Sequence, residues 1–268
     1  MTDTLDPPVP APRHRALPTT DRVRFFLRGA GQTLITAGLV VLLFVVYQVW
    51  VTNIYSARKQ NRVHTQLKTV WANGEDPLAH KLPLPGGAQA RIPVGTGIAN
   101  LYIPRLGKDY AFTIVEGTDD ASLEKGPGRY SNTQLPGQVG NFAVAGHRVG
   151  KGEPFLNIDQ LRPGDAVVVE TKNSFFIYVV KGDPASGDLS VKGQDGVPGR
   201  EIVDPSDTQV IDPVPDHPGA RPVEAMMTMT TCHPKFTAEQ RMIIHAKLAR
   251  KVARVGDQLP KELAGGTL

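Results

Sequence analysis

The run Thr228-Met229-Thr230-Thr231-Cys232-His233-Pro234, with Arg241-Met-Ile-Ile-His-Ala-Lys-Leu-Ala-Arg250 after it, decides how the chain is read. Threonines on either side of Met229 favour extended backbone up to Cys232, and Pro234 stops any regular continuation. The second segment admits two readings. As a helix it buries Met242, Ile243, Ala246 and Ala249. As a strand it sets Met242, Ile244, Ala246 and Leu248 on one face and Arg241, Ile243, His245 and Lys247 on the other. Intrinsic propensity favours the helix. If the chain instead turns at Pro234 and returns as an antiparallel neighbour, the Arg241 guanidinium comes back beside the Cys232 sulfur.

Upstream, short apolar runs alternate with turn residues: Ile98 to Ile103, Tyr110 to Val115, Gly140 to Ala145, Ala166 to Glu170, Phe175 to Val180 and Val223 to Thr231. Their Val, Ile, Phe, Tyr and Thr content, at this spacing, predicts strands of a small barrel or sandwich. The 27 Gly and 23 Pro of the 268 residues punctuate the chain too often for a long helical bundle.

The N-terminal part has a different character. Residues 1–28 are predicted to be a disordered tail: Pro7, Pro8, Pro10, Pro12 and Pro18 crowd its start with almost no apolar periodicity. From Gly29 to Ala57 there are 29 residues without a formal charge, centred on Leu39 to Val46. A membrane-spanning helix needs about 20 such residues, and Tyr47, Trp50 and Tyr55 fall where interfacial rings are favoured. Residues 29–57 are therefore predicted as a transmembrane anchor, because a cleaved leader has a shorter apolar region ending in small residues. Five arginines precede the span (Arg13, Arg15, Arg22, Arg24, Arg28) and Arg58, Lys59, Arg62 and Lys68 follow it, so charge alone does not orient it. Asn53 to Trp71 can continue as a helix. Pro and Gly then crowd residues 77–97, and 58–97 is predicted as a stalk or linker, leaving 98–268 as the folded domain.

Composition narrows the function. Thirty Lys and Arg against 26 Asp and Glu leave a net charge of +4, and 6% aromatic residues offer few rings for stacking on bases, so a nucleic-acid partner is not expected. A single cysteine, Cys232, excludes intramolecular disulfides and multi-cysteine metal clusters. A zinc site from Cys232, His233 and His245 would need adjacent ligands at an unfamiliar spacing. Asp119, Asp120 and Glu124 could hold calcium, but carboxylates on a surface turn are more often solvated; no cofactor is assigned.

Cys232 at a strand end faces a cleft more readily than one inside a strand, although a lone cysteine is usually a small packed hydrophobe. As a nucleophile it needs a nearby base or cation and donors for an oxyanion. Of the seven histidines, His147 follows Asn141 to Gly146 and precedes Arg148-Val-Gly150, where a strand turns out into a loop. His233 and His245 are weaker candidates, since the immediate neighbour of a strand-end residue points away from it. Arg241 supplies a fixed cation able to clamp an oxyanion.

These pieces, in this order, resemble the sortase family of cysteine transpeptidases. Thr228 to Cys232 is similar to the family's T-L-x-T-C strand, with Met229 in place of leucine. Gly146-His147-Arg148 resembles the loop bearing its histidine, and Arg241 matches its arginine. Lys125-Gly-Pro-Gly-Arg-Tyr130, Leu135-Pro-Gly-Gln138 and Thr230 to Phe236 look most like class E sortases of high-GC Gram-positive bacteria. The resemblance covers roughly Ile98 to Val255. It implies a mainly β fold, an eight-stranded closed barrel with short helices, in which Arg241 to Val252 is a strand. It implies Cys232, His147 and Arg241 as catalytic residues, with Thr231 and Tyr130 touching substrate. It further implies secreted proteins bearing an L-A/P-x-T-G signal as partners, a peptidoglycan-precursor amine as acceptor, a cytoplasmic tail and an outward-facing domain at the cell membrane. A membrane-tethered cysteine peptidase using water, or a non-enzymatic wall-binding barrel, are the alternatives.

Overall fold

The computed structural model describes residues 19–47, 52–79, 92–256 and 258–264, in two compact units divided after Gln48. The first unit is a single helix, α1 (Thr19–Val46). Its stretch Val23–Val46, 24 residues with a mean hydropathy of 2.0, has no buried residue and is long enough to cross a bilayer. The helix starts before the uncharged run. Residues 19–28, assigned above to a disordered tail, are helical, because arginine is a good helix former and Pro18 is the last proline before them. The remainder of the expected tail lies outside the described residues.

The second unit opens with α2 (Thr52–Ala72), whose Val63, Leu67 and Trp71 fall at i, i+4 and i+8 on one face and are buried. That stripe packs on β1 (Gly97–Tyr102) and β2 (Ala111–Glu116). His64 Nδ1 lies 3.2 Å from Asn100 Oδ1 and 3.1 Å from Thr113 Oγ1, and Gln60 Nε2 donates to the Thr113 carbonyl at 3.1 Å. The start of the expected 58–97 stalk is thus an integral helix of the folded unit, held by buried apolar side chains. Its Pro- and Gly-rich part, 80–91, lies outside the described residues.

Seven further strands follow: β3 (Gly128–Arg129), β4 (Gly140–Ala145), β5 (Ala166–Glu170), β6 (Ser174–Val180), β7 (Arg200–Val203), β8 (Ala225–His233) and β9 (Gln240–Ala253). They hydrogen-bond in the order β6-β5-β1-β2-β3-β4-β8-β9, and β9 pairs back onto β6, closing an eight-stranded barrel with β7 attached to β9 outside the ring. The fourteen-residue β9 makes this possible. Arg241 to Ile244 pair with β7, Ala246 to Ala253 pair with β6, and β8 runs along its other edge. A register shift between Ile177 and Tyr178 leaves Ala249 as an extra residue, a bulge within the stretch of β9 that pairs with β6.

Alternate residues fill the barrel: Leu101, Ile114, Phe142, Val144, Val167, Val169, Tyr178, Met227, Met229 and Ile244 are fully buried in one cluster. A smaller cluster of Tyr102, Val168, Phe175 and Ile177 lies on the other side of β1, β5 and β6, capped by Leu263. Gly137 closes one loop onto the barrel with φ +78°. A Cβ there would sit 2.0 Å from the Phe176 ring, and its amide donates to the Tyr178 hydroxyl at 2.7 Å.

Candidate active site

Strand alternation sorts the side chains of β8. Met227 and Met229 fill the barrel, so Thr228, Thr230 and Cys232 lie on its outer side. On β9 the interior pair Ile244 and Ala246 leaves Arg241, Ile243 and His245 on that same outer side. The antiparallel register sets Cys232 directly opposite Arg241. On β4, Phe142 and Val144 point in, so Asn141, Ala143 and Ala145 point out. Strands β4 and β8 are parallel with a constant offset, Ala145 facing Thr230 (230 − 145 = 85), and the Gly146 amide still donates to the Thr230 carbonyl at 3.0 Å. The ladder ends there, and His147 lies just beyond it, in a loop whose Gly146 carbonyl accepts from Thr231 Oγ1 at 2.7 Å and whose Arg148 donates to the Cys232 carbonyl at 3.3 Å. Cys232 and Arg241 thus face each other across β8 and β9, and the loop that carries His147 runs beside the same end of β8. All three are half-buried.

His147 Nε2 is buried with no hydrogen-bond partner among the described residues. Its pKa is lowered from the ordinary histidine value, first by burial and then by the Lys151 charge, with Asp120 and Glu124 pulling the other way. Arg241 Nη1 donates to the Ala238 and Gln240 carbonyls at 3.0 and 3.1 Å, which orients the guanidinium at the turn after the cysteine. The His147 carbonyl accepts from the Phe155 amide at 3.1 Å, tying the loop that carries the imidazole back to the barrel.

Tyr130, just beyond β3, shares a 2.9 Å hydrogen bond with the hydroxyl of Thr230, the outward residue next to Cys232 on β8. It therefore borders the same face. Thr231 does not. It is 3% exposed, follows the inward alternation of Met227 and Met229, and spends its hydroxyl on the Gly146 carbonyl at 2.7 Å. Its place joins the end of β8 to the His147 loop, whereas Thr230 holds the outward position expected of a residue beside a bound peptide.

Sequence reasoning missed Arg148, which is buried and reaches both Cys232 and His233; the signal was a second cation adjoining the loop histidine. It also missed the polar group on the outer face beyond Thr230. Asn141 gives its amide to the carbonyls of Val210 and Asp212 and accepts from Thr228 Oγ1 at 2.8 Å, and Thr228 meets His245 Nδ1 at 2.9 Å. His245 Nε2 lies 2.8 Å from Glu201 Oε1. These bonds anchor the 204–224 connection against β4, β8 and β9. Glu201, Asp216 and His245 offer ligand atoms within 4.8 Å of one another, the geometry that could hold a cation. The Asp119 and Glu124 carboxylates considered for calcium are otherwise engaged: Asp119 caps α3 (Asp120–Leu123) through Ser122, and Glu124 pairs with Lys59 at 2.5 Å and Lys151 at 3.5 Å.

A closed barrel with a cysteine opposite an arginine on its outer side, and a histidine in the adjoining loop, carries the residue types that cysteine-dependent acyl transfer uses. Residues 101–249 match the sortase domain, and the chain belongs to the sortase family of cysteine transpeptidases. It is 36% identical over 234 residues to sortase SrtE1 of Streptomyces coelicolor, a match covering 85% of this chain and 58% of that relative, so it spans less than two thirds of the relative's length. Among solved structures it is similar to the SrtF sortase of Corynebacterium diphtheriae (40% identity, TM-score 0.59, 68% of this chain and 97% of that one). It is also similar to sortase E of Streptomyces avermitilis (37% identity, TM-score 0.52, 64% and 99%).

Proposed function

We propose that the chain is a membrane-anchored transpeptidase. It cleaves a C-terminal L-A/P-x-T-G sorting signal between Thr and Gly and passes the protein to an amine of a peptidoglycan precursor. The pairing of Cys232 with Arg241, with the His147 loop bonded to the same end of β8, supports this reading. The Cys232 sulfur attacks the Thr carbonyl carbon, and the oxyanion that develops is held by Arg241. Collapse breaks the C–N bond while the His147 imidazolium protonates the leaving Gly nitrogen, leaving a thioester and a neutral imidazole. The incoming amine attacks the thioester and gives its proton to His147 as the C–S bond breaks, which restores thiolate and imidazolium. The Nε2 of His147, which has no hydrogen-bond partner among the described residues, supports this shuttle.

The apolar α1 supports anchoring in the cell membrane. An outward-facing folded unit, with the residues before α1 in the cytoplasm, follows from the need to meet exported proteins. The test is turnover of L-A-x-T-G and L-P-x-T-G peptides with and without an added amine, by the parent and by Cys232→Ala. The parent is expected to release the Gly-containing tail and to form amide product in proportion to the amine. Cys232→Ala is expected to form neither thioester nor product while keeping its fold. Turnover by Cys232→Ala overturns the nucleophile, and a product distribution indifferent to the amine makes the enzyme a hydrolase instead.

A further inference from the structure

We propose that Arg148 is a positioning residue for this reaction, holding the nucleophile's own peptide and the neighbouring His233 ring so that Cys232 and His147 stay aligned. The inference rests on the roles given above to those two residues. Arg148 is 4% exposed and directly follows His147. Its Nη1 donates to the Cys232 carbonyl at 3.3 Å and lies 2.9 Å from His233 Nδ1. A guanidinium can only donate, so Nδ1 of His233 accepts, and a neutral His233 carries its proton on Nε2. Nη2 pairs at 3.3 Å with Asp159, in the short 3-10 turn Ile158–Gln160, and Lys235 reaches the same carboxylate at 3.8 Å. One side chain therefore joins the loop after β4, the 158–160 turn and the last two residues of β8.

A loop could be fixed without a buried charge. Arg148 Nε is buried with no partner among the described residues, so this cation occupies its site with one donor unmatched. The unmatched donor carries a desolvation cost that an apolar side chain of similar length would not, although removing the cation also strips Asp159 and the Cys232 carbonyl of a partner. What the apolar chain cannot do is grip the Cys232 carbonyl. The guanidinium is bonded to the backbone of the nucleophile and is adjacent in sequence to the general acid, so its loss lets the two drift apart. A misplacement of about 1 Å is enough to cost on the order of 100-fold in rate.

The experiment uses the full chain in detergent, as parent, Arg148→Met, Arg148→Lys and Asp159→Asn. Three quantities are read: the alkylation rate of Cys232 by iodoacetamide, kcat and KM on an L-A-x-T-G peptide, and Tm. Arg148→Met is expected to lower kcat roughly 10- to 100-fold with KM within about twofold. Its Tm is expected to shift by less than about 4 °C. Alkylation is expected to slow several-fold. Arg148→Lys should recover part of kcat through a point cation, and Asp159→Asn should lower kcat several-fold at unchanged Tm. The proposal is overturned if Arg148→Met keeps kcat and alkylation within twofold of the parent. It is equally overturned if kcat falls only alongside a Tm loss above about 10 °C while Asp159→Asn has no effect. Should the parent's Cys232 be alkylated while the peptide is not cleaved, the sorting-signal reading fails and the alkylation ratio alone decides the role of Arg148.

Discussion

Glu116→Gln should unfold this protein far more readily than an isosteric change on the surface would. Glu116 on β2 and Arg129 on β3 face each other with side chains only 2% and 1% exposed. Arg129 Nε and Nη2 each donate to the carboxylate at 2.7 Å, while Nη1 and Nη2 donate to the Thr133 and Ser131 carbonyls at 2.5 and 3.2 Å. The amide variant neutralises one member of a pair that water cannot reach and turns an NH2 toward guanidinium N–H groups. Leaving a buried ion uncompensated costs about 3–5 kcal/mol. At roughly 2–4 °C per kcal/mol for a unit of this size, Tm should fall by about 6–20 °C. The same loss should loosen Tyr130, because the two carbonyls gripped by Arg129 belong to the loop that Tyr130 begins. Thermal unfolding of the full chain in detergent, followed by circular dichroism, reads the effect. A double-mutant cycle with Arg129→Met and Glu116→Leu isolates it, since removing both charges should recover much of what either removal loses. A Tm for Glu116→Gln within about 2 °C of the parent, or strictly additive losses in the cycle, would show that the pair is not desolvated as argued.

Two further outcomes are expected. Leu67→Ala should lose about 2–5 kcal/mol in urea denaturation, since Leu67 is 2% exposed on the face of α2 that packs on the barrel. A loss below about 1 kcal/mol would mean that α2 contributes nothing to the folded unit. The second concerns His147, whose pKa is lowered in the folded state by burial and by Lys151. The unfolded chain then binds the proton more readily, so stability rises with pH, and it declines as pH falls through the ordinary histidine value toward the lowered one. Against His147→Asn, the parent should therefore lose stability between about pH 7 and pH 5. A difference that stays flat over that range would contradict the burial of the ring.

The barrel's main strands were legible because they are short apolar runs bounded by turn residues: Gly140–Ala145 and Ala166–Glu170 fall where those runs predict them. Segment 240–253 was not decidable from its own residues. Its Ala, Lys, Leu and Arg content favours a helix, and only its partners β6, β7 and β8 turn the alternation of Met242, Ile244 and Ala246 into a strand. Strand β3 is two residues long and β7 four, with polar Arg200 and Glu201, so neither carries a period to detect. The stripe Val63, Leu67, Trp71 was present but was passed over beside the Pro-rich stretch that follows. At the site, the return of Arg241 opposite Cys232 was legible from the turn that Pro234 forces between them. The identity of the outward threonine depends on register, which a slip of one residue reverses.

The Cys232 sulfur sits on the outside of a closed wall, not within its lumen. In the reaction proposed above, nothing then has to be threaded through the molecule or admitted to an interior in order to be joined. Only a short stretch of tail would need to lie flat along the staves, and the bulk of the cargo, however large and already folded, could remain in open solution. A construction of this kind sets no ceiling on the size of what it handles.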